Sequence, residues 1–212
     1  MKQSVSDILN ELINRYPELK SVENDILSAY RIAETAYKNG KKLFVCGNGG
    51  SASDSEHIVG ELMKKFRKQR KIDEKIYDNL GLFGDEGKKL QKTLEGALPA
   101  ISLTSHIALT TAFSNDKEPS AVFAQQLYGL ANDGDVLIAI STSGNSENCV
   151  LATITAKAKG LKTIALTGEK ESKLSGLCDV TVKVPETETF KVQELHLPVY
   201  HALCAMLEEE FF

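Results

Sequence analysis

Nowhere in the chain do about 18 uncharged apolar residues run together, and its first residues have no apolar core of signal-peptide length. Neither a membrane span nor an export signal is therefore expected. Positive charge is not in excess either: 25 Lys and Arg stand against 29 Asp and Glu, a net charge of -4. Nucleic acid and anionic membranes are poor candidates for the main partner. The four cysteines, Cys46, Cys149, Cys178 and Cys204, form no C-x-x-C pair, which removes zinc-ribbon and thioredoxin-like sites and leaves buried, reduced thiols. A cytoplasmic location follows as the expectation. No G-x-x-x-x-G-K-[ST] occurs, and G-x-G-x-x-G fails after Gly47-Asn48-Gly49-Gly50, which disfavours ATP and NAD.

What remains is an ordinary globular composition, 42% apolar and 25% charged, over 212 residues, enough for one domain spanning 1–212. Apolar residues at helical spacing predict helices over 5–16, closed by Pro17, and over 22–38, stopped by Asn39-Gly40. Both precede any strand, so their apolar faces must be covered by the core or by another subunit. A subunit interface for residues 1–39 is the expectation.

Beyond Gly40, five short apolar runs (43–46, 100–103, 136–140, 163–166 and 180–184) alternate with helical patterns near 51–68, 105–114, 119–131, 146–159 and 189–210. Runs that lose polar alternation are strands buried on both faces, so the pattern predicts a doubly wound α/β domain with a five-stranded parallel sheet. Residues 71–98 read as an insertion, with helical spacing over 88–98, because a crossover needs only a few linking residues.

Two segments repeat one plan, a strand, a loop of small residues, then a helix. The loops are Gly47-Asn48-Gly49-Gly50-Ser51 and Ser141-Thr142-Ser143-Gly144-Asn145-Ser146. Such loops form turns and caps anywhere, but in open α/β sheets this is where ligands bind, drawn by free backbone N–H groups and the helix dipole. Hydroxyls from Ser141, Thr142, Ser143 and Ser146 suit a phosphate monoester.

On the helix after the first loop, His57 and Glu61 are four residues apart and share a face. The last helix offers Gln193, Glu194, His196 and His201; Gln193 and His201, eight apart, diverge by about 80° and by about 12 Å of rise. They converge only on a ligand beside the middle turn. Asn115-Asp116 reads as a loop after the third helix of the domain, and Lys65, Arg67 and Arg70 as a basic cluster whose ordinary place is the solvated surface. Taken jointly, these groups suit a carbohydrate phosphate.

The segments CGNGGSASDSEHIVGEL, Ser114-Asn115-Asp116, GDVLIAISTSGNS, Leu166-Thr167-Gly168 and QELHLPVYH resemble the sugar isomerase (SIS) domain and, within it, the phosphoheptose isomerases. The resemblance spans most of the chain outside the insertion, and Glu61 and His201 make it more specific than the loops alone would. It implies an α/β/α three-layer sandwich with added N-terminal helices, a homotetramer with sites shared between subunits, and conversion of sedoheptulose 7-phosphate to the aldoheptose 7-phosphate. It implies Glu61 and His201 as the catalytic pair, and substrate contacts from Asn48, Gly49, Gly50, Ser51, Asn115, Asp116, Ser141, Thr142, Ser143, Ser146 and Gln193, with Glu61. It also implies zinc at His57, Glu61, Gln193 and His201 in some members, a donor set of the kind zinc takes. Lys65 stands where an arginine is familiar, and lysine lacks the bidentate fork. The insertion at 71–98 departs from the family's compact pattern. A non-catalytic SIS module that binds a sugar phosphate, or an isomerase of a shorter sugar phosphate, are the alternatives.

Overall fold

The computed structural model describes residues 2–212. In chain order the elements are α1 (Gln3–Arg15), α2 (Glu23–Lys38), β1 (Leu43–Cys46), α3 (Gly50–Met63), α4 (Glu74–Gly81), α5 (Gly84–Thr93), β2 (Ala100–Ser102), α6 (Ile107–Asp116) and α7 (Val122–Leu130). They continue as β3 (Val136–Ile140), α8 (Glu147–Ala158), β4 (Lys162–Thr167), α9 (Lys173–Leu177), β5 (Val180–Lys183) and α10 (Thr189–Phe211). Among the described residues no helix is long and apolar enough to cross a membrane.

The five strands are parallel in the order β2-β1-β3-β4-β5, as the apolar runs predict. Alternate residues of each strand enter different cores. Leu43, Val45, Ile138 and Ile164 pack with α2, α3 and α10, whereas Phe44, Leu137, Ala139 and Ala165 pack with α7, α8 and α9. The result is the expected three-layer α/β/α sandwich. The chain passes from β1 to β2 on one side and then returns to β3 on the other, so the sheet's switch point lies between β1 and β3. The two small-residue loops leave those two strands and flank the crevice.

Four features differ from the sequence reading or add to it. The apolar stripes of α1 and α2 are covered within the chain: Val5, Leu9 and Leu12 of α1 and Ile26, Tyr30 and Ala33 of α2 join one core with Leu203, Met206 and Leu207 of α10. A 23-residue last helix supplies that cover. Second, α3 stops at Met63, not near 68, because residues 66–68 turn their backbone N–H groups onto the buried Glu208 carboxylate. Third, the helix expected over 88–98 is Gly84–Thr93, paired with α4 in a hairpin that fills the insertion. Fourth, α9 has no apolar period to announce it; its five residues start from a capping box between Ser172 and Ser175.

Candidate active site

The spacing on α3 predicts that His57 and Glu61 meet, and they do: His57 Nε2 lies 3.4 Å from Glu61 Oε1. From α10, His201 Nε2 reaches the same His57 Nε2 at 3.4 Å, with the two rings edge-to-face at 4.9 Å. An imidazole 144 residues from His57 thus arrives at the His57–Glu61 pair. Glu61 Oε2 is buried without a hydrogen-bond partner, its nearest cation being Lys64 Nζ at 3.6 Å. Burial, and then the neighbouring His57, lower the His201 pKa, with Glu61 opposing, so the ring is neutral at pH 7. A cavity of about 440 Å³ between α1 and α10 opens on His201 and is lined on its other walls by Arg15, Tyr16, Phe66 and Arg67.

Behind His57 lie two residues that sequence reasoning did not single out. Tyr200 Oη is 3.1 Å from His57 Nδ1 and donates to Asp54 Oδ1 at 3.1 Å. Burial, with Asp54 beside it, raises the Tyr200 pKa, so the phenol keeps its proton; burial also raises the Asp54 carboxyl, against the Tyr200 hydrogen bond and His57. A visible trace existed: Asp54 precedes His57 by three residues, which is one helical turn, and Tyr200 adjoins His201.

No hydrogen bond joins Gln193 to His201, with which the resemblance groups it as a metal ligand; the two stand eight residues apart on α10. The Gln193 amide packs on the first loop, where a Cβ added to Gly50 would sit 2.6 Å from Gln193 Nε2. Glycine at 50 is what lets the Gln193 amide lie against that loop. The loop is tied in turn to the first turn of α8, which follows the second one: Asn48 Nδ2 donates to Asn148 Oδ1 at 2.9 Å, and Asn148 Nδ2 returns a bond to Asn48 Oδ1 at 2.8 Å. Asn148 was not foreseen. Within the second loop Ser141 Oγ and Ser146 Oγ are 2.8 Å apart, Asn145 N donates to Ser143 Oγ, and Thr142 is half-buried. Ser51 is buried in the first turn of α3, whereas Asn48, Gly49 and Gly50 are exposed.

Asn115 and Asp116 are the last residues of α6, not a loop. Both are exposed and bond each other at 2.9 Å, and among the described residues their side chains bond to no other candidate. The basic cluster also divides. Lys65 and Arg67 are exposed, but Arg70 is buried, donating to Glu208 Oε1, Leu62 O and Glu61 O. A buried carboxylate on α10 explains why this guanidinium leaves the surface.

Among the described residues no three His, Cys, Asp or Glu side chains already close on a common point as a metal shell. His57 meets Glu61 and His201 separately. The donor set nevertheless fits zinc in kind and in those two separations, since ligands about 2.0–2.1 Å from a tetrahedral zinc lie about 3.3 Å from one another. The unpartnered Glu61 Oε2 is a further free donor.

Residues 99–206 match the SIS domain, and residues 7–95 match a second SIS domain family. The phosphoheptose isomerase of a Nitratiruptor species is 40% identical over 186 residues, 88% of this chain and 86% of that protein. The chain belongs to the SIS-domain family, among the phosphoheptose isomerases. The solved phosphoheptose isomerase of Francisella tularensis aligns over 99% of this chain and 100% of its own, with TM-score 0.76 and 27% identity. That of Neisseria gonorrhoeae covers 98% of both chains at TM-score 0.73 and 29% identity. SIS-domain enzymes of this kind are sugar-phosphate isomerases, and the α10 and loop residues that bear the site here lie inside the matched segments.

Proposed function

We propose that this sugar-phosphate isomerase converts sedoheptulose 7-phosphate to D-glycero-D-manno-heptose 7-phosphate through an enediol. The observation that carries the reading is the approach of Glu61 and His201, from distant parts of the chain, to one imidazole nitrogen. Membership among the phosphoheptose isomerases supports the seven-carbon substrate.

In this mechanism Glu61 takes the proton from the carbon next to the ketose carbonyl and returns it to the adjoining carbon. His201, neutral and donating an N–H, gives its proton to the carbonyl oxygen and recovers one from the neighbouring hydroxyl, so the sugar is rearranged with no net loss of atoms. General acid and base terms of this kind are each worth about 10²- to 10⁴-fold in rate. The hydroxyls of Ser141, Thr142, Ser143 and Ser146, with the backbone N–H groups of Glu147 and Asn148 that open α8, hold the phosphate. Asn48, Gly49, Gly50, Ser51, Gln193, Asn115 and Asp116 serve the sugar hydroxyls. His57, Glu61 and His201, with Gln193 as fourth donor, would hold a zinc ion, which supplies Lewis-acid stabilisation of the charge that develops on the sugar oxygens.

A homotetramer with shared sites accords with α6, which buries none of its ten residues, exposes Ile107 and Leu109, and ends in Asn115 and Asp116. A second subunit would cover that helix and bring those two polar side chains to a site. The four free thiols are in keeping with the reducing cytoplasm.

The test is incubation with five-, six- and seven-carbon ketose phosphates, with and without chelator, alongside light scattering. Conversion of the seven-carbon substrate alone, lost to chelator and restored by zinc, is the expected result. Conversion only of a shorter sugar, or of none, overturns the reading, the latter in favour of a sugar-phosphate-binding module.

A further inference from the structure

Asp54, Tyr200 and His57 form a line of hydrogen bonds that the reaction above leaves unused. Tyr200 is 1% exposed, and its ring packs edge-on against His57 (centroids 5.5 Å apart, planes at 71°) and against His201 (5.0 Å, 80°). Its hydroxyl is therefore held in place, 3.1 Å from Asp54 Oδ1 and 3.1 Å from His57 Nδ1.

A phenol has a single hydrogen to give. An ionised carboxylate only accepts, so that hydrogen goes to Asp54, and the phenol oxygen then accepts from His57 Nδ1. The opposite sense would set the phenol oxygen's lone pairs against those of Asp54 at 3.1 Å and leave a half-buried carboxylate without its donor, a cost of about 1–3 kcal/mol or more. His57 accordingly carries its proton on Nδ1. Its Nε2, the atom 3.4 Å from both Glu61 Oε1 and His201 Nε2, presents a lone pair to the site.

We infer that Asp54 and Tyr200 are positioning residues that lock His57 as its Nδ1–H tautomer and aim its Nε2 between Glu61 and His201; only the catalytic consequence of this rests on the isomerase reading. Two acceptors, Glu61 Oε1 and the His57 Nε2 lone pair, then face each other at 3.4 Å, an arrangement that a cation bound between them relieves, so the relay prepares the site for a positive charge before substrate arrives. Tyrosine is the spacer that allows it: Asp54 and His57 sit a turn apart on the same helix, and a side chain from α10 joins them across the helix–helix contact. The same contact seats His201, the next residue along. A hydrogen-bond partner behind a metal-ligating histidine typically governs about 10- to 100-fold in metal affinity or activity.

Tyr200→Phe removes the hydroxyl and keeps the ring contacts; Asp54→Asn keeps the shape and removes the obligate acceptor. In metal-free protein labelled with ¹⁵N-histidine, long-range ¹H–¹⁵N correlation reads the tautomer directly, with the His57 signals assigned by their loss in His57→Gln. The wild type should show His57 protonated on Nδ1, and Tyr200→Phe should lose that preference. Zinc affinity, read by chelator competition, should fall about 10- to 100-fold in both variants, and kcat with the C7 ketose phosphate should fall by a similar factor at unchanged KM. A wild-type His57 protonated on Nε2 overturns the inference by itself, whether or not either variant folds. So does a folded Tyr200→Phe with unaltered tautomer and zinc affinity. Neither readout needs turnover, so an inactive wild type in the substrate panel sinks the isomerase reading and leaves this one standing.

Discussion

Arg70 Nε donates to Glu208 Oε1 at 2.8 Å in a place where neither side chain meets solvent. The same guanidinium donates to Glu61 O at 2.8 Å and Leu62 O at 2.6 Å, while Glu208 stands two turns beyond His201 on α10. One ion pair thus fastens the backbone of Glu61 to the helix that carries His201. Burial alone would raise the Glu208 carboxyl, but three backbone N–H donors and Arg70 hold it below its usual range. Its stabilising contribution is therefore complete at neutral pH and is lost as the pH falls through the lowered folded value. Arg70→Ala leaves an uncompensated buried carboxylate and should cost about 3–5 kcal/mol in urea unfolding at pH 7. An Arg70→Ala protein as stable as the wild type would show that the pair fastens nothing.

Glu61→Gln and His201→Ala should each lower kcat by about 10²- to 10⁴-fold, because each removes a proton-transfer group rather than a binding contact. Ser146→Ala acts at the phosphate end and should instead raise KM with little change in kcat. Steady-state kinetics on the three variants checks the division of labour; wild-type turnover in both Glu61→Gln and His201→Ala would remove the proposed acid and base.

His196 is fully buried on α10, with Nε2 at 3.3 Å from Thr167 O and Nδ1 without a partner. Burial pushes its pKa down to about 4, against the Thr167 hydrogen bond. The unfolded chain binds the proton from near pH 6.5 and the folded chain only near 4, so stability rises with pH across that window and is lost on acidification. Between pH 7 and pH 5 this residue should account for about 2 kcal/mol of lost stability. His196→Gln should lack that component, which urea titrations at the two pH values would reveal as a flatter pH profile than that of the wild type.

The strands and the His57–Glu61 pair are legible in the sequence because each depends on neighbours within a few residues. A continuous apolar run is a strand covered on both faces, and a four-residue spacing is one helical face. The parts that stay hidden rest on contacts more than a hundred residues long. Residues 64–68 leave the helical path for the Glu208 carboxylate, and the apolar stripes of α1 and α2 pack on α10. Asn115-Asp116 has turn composition, yet it closes a helix. The Tyr200 relay has the same origin: no periodicity marks a phenol whose two partners lie on another helix.

Gly50 and Gln193 show how a residue without a side chain controls one with a long one. A Cβ at position 50 would come within 2.6 Å of Gln193 Nε2 and 3.1 Å of its Cδ, so Gly50→Ala must turn the Gln193 amide away. The neighbour that yields is the end of a flexible side chain and not backbone, which keeps the cost to stability small. If Gln193 holds sugar hydroxyls or a metal from that position, Gly50→Ala should mimic Gln193→Ala, with about a tenfold rise in KM or loss of zinc affinity and a melting temperature close to wild type. The double variant should be no worse than either single one, since residues acting through one contact are not additive. Full additivity of the two substitutions would mean that Gly50 serves the loop's own backbone and that Gln193 works from elsewhere.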